Sequence, residues 1–372
     1  MEPVHAHSVL LRNEPSPSGS LQRNMDNYWG LELALSQQQA IAAAVDQWVT
    51  GIPGRIPGHT VFVENAGHSS YAKEIAEDGS VVLVIDGDAD DPDLVTVKGR
   101  YDESGEELLV DGSLSIEIQD YLAVPFISLV GPTVIRFAGQ DDWQSFFDDA
   151  DEARSSGHFV RQLSEVNAVL SERALLAGHG NADSTLARIH ITANGTILNG
   201  PSGTVIGWVG DELQDIRARA MPLKPESSIA SLTHAPEVVA ALNNRPWVPR
   251  YLAALDAWKF IGPEQRAGTR LVGFGLSLYG APDSHGLPLP NAPFILEREG
   301  EYKLLDTTAG RVFTIGRDAA VLIEAISNLR GVEAAAGVAA VSMGISPELA
   351  KSSAEAVVEQ LGHLGIDLLG GH

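Results

Sequence analysis

Between Arg311 and Ile326 the sequence RVFTIGRDAAVLIEAI changes period. Val312 and Thr314 alternate with Phe313 and Ile315 as on a strand; after Gly316, Ala319, Leu322, Ile323 and Ile326 recur at three and four, as on one helix face. Upstream, FILERE and YKLLDT are joined at Gly300, and TAG makes a second turn before RVFTI, so three short strands form a meander. Three helices follow, predicted over about Asp318–Leu329, Val332–Ser342 and Pro347–Leu364. Ser346 caps the third, Pro347 suits its first position and Glu348 complements its dipole. Ala350, Ala354, Val357, Leu361 and Leu364 form its apolar stripe. Three strands then three helices predict a winged helix-turn-helix over residues 293–372.

The pattern before it is looser. Residues 1–20 read as a flexible tail rich in Pro and Ser. A region over 21–125 opens with a helix, Ser36 capping Gln37 to Val49, closed by the turns of GIPGRIPGH. HTVFVE, SVVLVIDG, DLVTVKG, EELLVDG and LSIEI then read as short strands of a small antiparallel or α+β unit of unknown role. A central α+β region, 126–280, contains the strand PTVIRFA and a helix over DDWQSFFDDADEARSS that stops at Gly157. It also holds a hairpin turning at Asn194-Gly195 with type I′ geometry, an aromatic helix in RPWVPRYLAALDAW and a strand in TRLVGFGLSLYG. Residues 281–292 are the clearest Pro/Gly linker. The expected fold class is α+β, with N-terminal and central regions followed by the winged domain and its three-stranded antiparallel sheet.

Composition narrows the partners. With 25 Lys and Arg against 49 Asp and Glu, the formal charge of -24 repels phosphate backbones and anionic membranes. Nucleic acid and membrane are therefore not expected partners. The chain has no cysteine, which removes disulfides, thiolate chemistry and Cys-held metals and fits a cytoplasmic setting. No signal-peptide pattern opens the sequence, and the most apolar run, YLAVPFISLVGPTVIRFAG, is broken by Pro125 and Pro132.

Several stretches mimic chemistry without completing it. IDGDADDPD alternates Asp86, Asp88 and Asp90, but Asp91 and Val97 stand where an EF-hand needs Gly and Glu, so a solvated acidic turn is expected. GFGLSLYG has Leu278 at the third glycine position of a dinucleotide fingerprint, and GPSGTVIGWVG lacks the Lys of a phosphate loop. His5, His7, His179 and His190 follow no metal-ligand spacing, and Ser277 has no nucleophile elbow. No catalytic residue, metal ligand or cofactor is assigned.

A short sheet with an open edge invites an added strand. If RVFTI is that edge, Arg311, Val312, Phe313, Thr314 and Ile315 supply the strand side of a peptide groove, and Ala354, Val357, Val358 and Leu361 of the third helix supply its wall. The competing expectation is that these apolar residues form the small domain's core.

YKLLDTTAGRVFTIGRDAAVLIEAI, followed by two further helices and LGHLGID, resembles the PqqD-like RiPP recognition element. That resemblance implies a winged domain whose third strand accepts the leader peptide of a ribosomally made precursor beside the third helix. GPTVIRFAGQDDWQSFFDDADEARSSG, RPWVPRYLAALDAW, LVGFG and the C-terminal motif together resemble the recognition proteins of daptide gene clusters. This wider resemblance implies a non-catalytic, cytoplasmic adaptor that presents the precursor to an oxidoreductase, an aminotransferase and a methyltransferase. It assigns no catalytic residue to the first 290 positions. Two rivals stay open: a winged-helix DNA-binding regulator, and an enzyme whose catalytic region is fused to the recognition element.

Overall fold

The computed structural model describes residues 12–13, 36–178, 186–231, 235–280 and 288–370. Most of the 1–20 tail, the tail histidines, His179 and residues 281–287 of the expected linker lie outside them. The chain folds as two compact units, and its overall class is mixed α/β, with one large mixed sheet and one small antiparallel sheet. Among the described residues no helix is long and apolar enough to cross a membrane.

The strands are β1 (Arg12–Asn13), β2 (Thr60–Val63), β3 (Val81–Ile85), β4 (Val95–Lys98), β5 (Glu107–Val110), β6 (Leu114–Asp120), β7 (Thr133–Arg136), β8 (Ala168–Leu170), β9 (Arg188–Ile191), β10 (Thr196–Leu198), β11 (Val205–Trp208), β12 (Arg270–Val272), β13 (Phe294–Arg298), β14 (Glu301–Asp306) and β15 (Arg311–Ile315). The helices are α1 (Gln37–Thr50), α2 (Ser69–Ile75), α3 (Gln140–Ser156), α4 (Arg173–Leu176), α5 (Leu213–Ala220), α6 (Ala235–Asn243), α7 (Val248–Lys259), α8 (Pro263–Arg266), α9 (Arg317–Leu329), α10 (Val332–Met343) and α11 (Pro347–His363).

The larger unit, Gly30–Asp148 with Val160–Pro246, is built on a ten-stranded sheet in the order β11-β10-β9-β2-β3-β4-β5-β6-β7-β8. The sheet is larger than the small antiparallel or α+β unit expected up to about residue 125. β2 pairs in parallel with both β3 and β9, and β6, β7 and β8 are parallel neighbours. Short apolar runs reveal where strands lie but not which distant strand each will meet, and parallel pairing depends on the crossover. The centre is buried on both faces: Phe62 packs with Trp48 of α1, whereas Val61 and Val63 pack with Ile189 and Ile216.

α1 follows its predicted grammar closely. Ser36 and Gln39 form a capping box, and Gly51 closes the helix at φ 72. Trp48 stacks on Phe62 with ring centroids 4.0 Å apart. Buried Glu172 and Arg188 pair at 2.6 Å, and Arg188 also donates to the carbonyl of Trp48. The hairpin at Asn194-Gly195 is present, but only Gly195 of the two takes positive φ. Gly195 N–H bonds to Thr192 O and Thr192 N–H to Thr196 O. The turn is therefore a type I turn closed by a left-handed glycine rather than type I′, a longer loop that the same dipeptide also serves.

The smaller unit comprises Asp149–Phe159, Trp247–His372 and the N-terminal segment that carries β1. Its sheet runs β1-β15-β14-β13-β12 with every neighbouring pair antiparallel, so five strands replace the three expected. Val272, Ile295, Leu304 and Phe313 stand opposite one another across β12 to β15 and join the core beneath α9, α10 and α11. Each buried side chain of this size stabilises the fold by roughly 1.5–3 kcal/mol.

The strand expected through residue 280 ends at Val272 because the next residues turn. Gly273 and Gly275 take φ of 105 and 73, and a Cβ on Gly275 would collide with Ala153 O. Gly275 thus permits close backbone approach to the end of α3, while Gly273 leaves room for the Arg250 guanidinium.

Beneath the opposite face of this sheet lies Arg250, 1% exposed. Its Nε donates to Gly273 O at 3.2 Å and its Nη2 to Pro293 O at 3.1 Å. Its Nη1 reaches the carbonyls of Leu289, Pro290 and Ala292, and Cζ sits 3.4 Å from the Phe294 ring centroid. Burial lowers its pKa to about 9, so it stays charged at neutral pH. The described end of the expected linker, from Pro288 to Ala292, is therefore pinned, with Pro288 and Ala292 buried. Arg250→Met is expected to destabilise the smaller unit by roughly 3 kcal/mol, because the carbonyls it serves lose their donor. Urea unfolding would measure this, and Arg250→Lys would restore only part of the loss, since an ammonium cannot span the same fan of acceptors.

Candidate functional site

β15 takes its place through ordinary strand chemistry. Its five residues pair with β14 from Tyr302↔Ile315 to Asp306↔Arg311. Phe313 and Ile315 point into the core, 3% and 5% exposed, while Val312 and Thr314 are half-buried on the other face. On α11, Ser346 Oγ accepts from Leu349 N–H and Pro347 occupies the first turn. Ala354, Val357 and Leu361 are buried in the same core as Phe313 and Ile315, and Val358 is half-buried against it.

The structure therefore brings both walls together, but mostly as core. Phe313, Ile315, Ala354, Val357 and Leu361 are committed to packing with one another and with Leu322, Ile323 and Ile326 of α9. What β15 presents along its outer edge is backbone, together with the half-buried Val312, Thr314 and Arg311. Arg311 is the joint between the two walls. Its Nε and Nη2 donate to Asp306 Oδ2 at 3.0 and 2.6 Å, and its Nη1 donates to Leu364 O at 2.7 Å, just past α11. Asp306 also accepts from the backbone of Thr308 and Ala309, so one carboxylate shapes the β14–β15 turn and orients the arginine.

Two features of this region are invisible to periodicity. The first is β1: Arg12 stands opposite Thr314, and Asn13 opposite Phe313, in an antiparallel pair on the outer edge of β15. A two-residue strand in a Pro/Ser-rich tail carries no alternation to detect. The second is a polar cluster fastening residues 277–279 to α9. Leu278 N–H donates to Glu324 Oε2 at 2.8 Å, and Asn328 Nδ2 to Tyr279 Oη at 2.8 Å. Glu324 is 3% exposed, and burial pushes its pKa up to about 7 against the pull of hydrogen bonds from Leu278 and Ser277. Burial likewise pushes Tyr279 up to about 12. Ser277 thus has an acidic neighbour, but one protonated through much of the range where a base is needed.

In the larger unit, His190 lies 2.9 Å from Glu64 Oε1, and Ala193 N–H donates to Glu64 Oε2 at 2.8 Å. The His190 hydrogen bond holds this carboxyl below its usual range. The imidazole is stacked with Phe62 and Trp48 in the core while Glu64 is only half-buried, so the pair is arranged as a tether at the edge of the core. Asp91 of the acidic turn pairs with Lys73 at 2.6 Å, and Asp88 accepts from Asp90 N–H. Among the described residues no group of three or more His, Asp or Glu side chains is arranged to hold a metal ion. The depression lined by Gln38, Ile41, Ala42, Ser113 and Leu114 presents no titratable side chain.

Comparison of the chain with protein-family models, with curated proteins and with solved structures finds no match.

The Glu324 cluster makes stability pH-dependent. Its contribution is complete below the ordinary carboxyl value of 4.5 and is lost as pH rises through about 7, because the folded state holds the proton more tightly. The wild-type protein is expected to lose on the order of 1–3 kcal/mol between pH 5 and pH 8 from this group. Urea midpoints across that range would measure it, and Glu324→Gln would flatten that part of the profile.

Proposed function

We propose that the chain is a non-catalytic RiPP recognition protein, whose residues 293–372 form a PqqD-like winged helix-turn-helix that takes up a leader peptide by strand addition at β15. The observation that carries this reading is the antiparallel pairing of β1 with the outer edge of β15, because it marks that edge as a surface on which an extended segment fits. The order of elements supports it too: a meander of β13, β14 and β15 is followed by α9, α10 and α11, with Arg311 joining strand and third helix. Backbone hydrogen bonds would supply most of the affinity. With a formal charge of -24, an acidic leader gains nothing from long-range attraction, while a basic patch on a modifying enzyme would. In the daptide setting those enzymes are the oxidoreductase, aminotransferase and methyltransferase, and the adaptor works in the cytoplasm without a cofactor of its own.

The regulator reading is weaker on charge. A recognition helix in the major groove needs basic residues. On α11, Lys351 is paired with Glu333 at 2.6 Å, while Glu348, Glu355 and Glu359 are exposed. An enzyme fused to the recognition element would need convergent reactive groups, and the Glu64–His190 tether, with its imidazole stacked in the core, does not offer them.

The decisive experiment is fluorescence anisotropy of the full-length protein with the leader of the precursor encoded beside its gene. Saturable binding is expected, weakened about tenfold by Val358→Glu, since a lost apolar contact with an added charge costs about 1.4 kcal/mol or more. Val358 is the informative position because it is half-buried, whereas charge at Val357 or Leu361 would enter the core. Absence of binding at high micromolar leader would remove this function.

A further inference from the structure

The outer edge of β15 is not vacant. Arg12 and Asn13 already lie along it in antiparallel register with Thr314 and Phe313. A strand edge has one row of donors and acceptors, so two segments cannot add to it at once. We propose that the chain carries its own competitor for the β15 edge: the segment around Arg12–Asn13 pairs there in cis, and an incoming extended peptide must displace it. This rests on the peptide-binding reading above and adds regulation to the same site.

The pairing has the proportions of a displaceable occupant. On its inner side β15 pairs with β14 through five residue pairs, Tyr302↔Ile315 to Asp306↔Arg311. On its outer side the pairing with β1 covers two. A ladder that short has little stability of its own, since even a complete hairpin is marginal alone. In the sequence, Pro15 and Pro17 follow closely and lack the amide hydrogen that a longer ladder would use. Covalent attachment compensates for weak pairing. Effective concentrations for linked segments are on the order of 1 mM, so a segment with an intrinsic dissociation constant of about 0.1 mM would be bound about ten times out of eleven. A competing peptide then binds about tenfold more weakly than it would to the bare edge.

The test uses the chain's own segment as probe. A fluorescein-labelled peptide of residues 5–20 is titrated into full-length protein and into protein lacking residues 1–20, with thermal unfolding of both recorded. Saturable binding to the shortened protein, at least tenfold weaker binding to the full-length one, and loss of binding when the peptide is N-methylated at Arg12 and Asn13 are expected. The double variant R12P/N13P of the full-length chain should bind the probe as the shortened protein does. Amide exchange at residues 311–315 should quicken in both variants. No saturable binding to the shortened protein, or equal affinity for both forms, overturns the proposal. The leader peptide separates the two readings. If the probe binds the shortened protein and the leader binds neither form, the cis pairing stands and the leader-binding function fails. If the leader binds both forms equally, the leader-binding function stands and the cis competitor fails.

Discussion

Arg250 is the constraint on which the smaller unit depends. A guanidinium placed out of water must satisfy its donors or unfold its surroundings, and among the described residues those donors meet carbonyl oxygens rather than a carboxylate. The carbonyls belong to Gly273, at the end of β12, and to the stretch from Leu289 to Pro293 that leads into β13. One side chain of α7 therefore fixes where two neighbouring strands end and begin. Their register, Val272 opposite Ile295, sets the row that continues through Leu304 to Phe313. Placement of β15 is in this sense inherited from an arginine on the far face of the sheet.

Local grammar was legible wherever a pattern carries its own chemistry. The N-cap at Ser36, the Ser346-Pro347 start of α11 and the change of period between Thr314 and Ala319 all read correctly in the linear sequence, because each depends on residues within one turn. Gly316, at the junction, has an extended backbone at φ -78 that any residue can adopt. The signal came from the period on either side of it. Long-range matters were not legible. Nothing in HTVFVE says that it will lie parallel to both SVVLVI and RIHI, and nothing in RPWVPRYLAALDAW marks the second of its two arginines, Arg250, as a buried clamp. The groove residues were half legible: their apolar spacing placed them on facing elements, but spacing does not distinguish a wall that stays open from one that closes into core. Phe313, Ile315, Ala354, Val357 and Leu361 closed.

That closure changes what kind of recognition β15 can support. With its larger side chains turned inward, the strand offers hydrogen-bonding backbone and the modest surfaces of Val312 and Thr314. On the proposed reading, affinity from such an edge would be tolerant of sequence, and selectivity would have to come from the few side chains that reach α11 near Val358. Arg311 then matters as a spacer. By bonding Asp306 on one side and Leu364 on the other, it keeps the end of the helix at a set distance from the start of the strand.

The row Val272, Ile295, Leu304, Phe313 ends at a position held by Asn13, and this gives any added strand a reading frame. Alternate residues of an occupant point toward the helices or away from them, and the residue opposite Phe313 decides which set is which. A slip of one residue would exchange the two sets, whereas a slip of two would preserve them. If it takes up peptides as proposed, such an edge would sort them by the parity of their pattern rather than by any single letter, so unrelated sequences of matching alternation would count as synonyms to it.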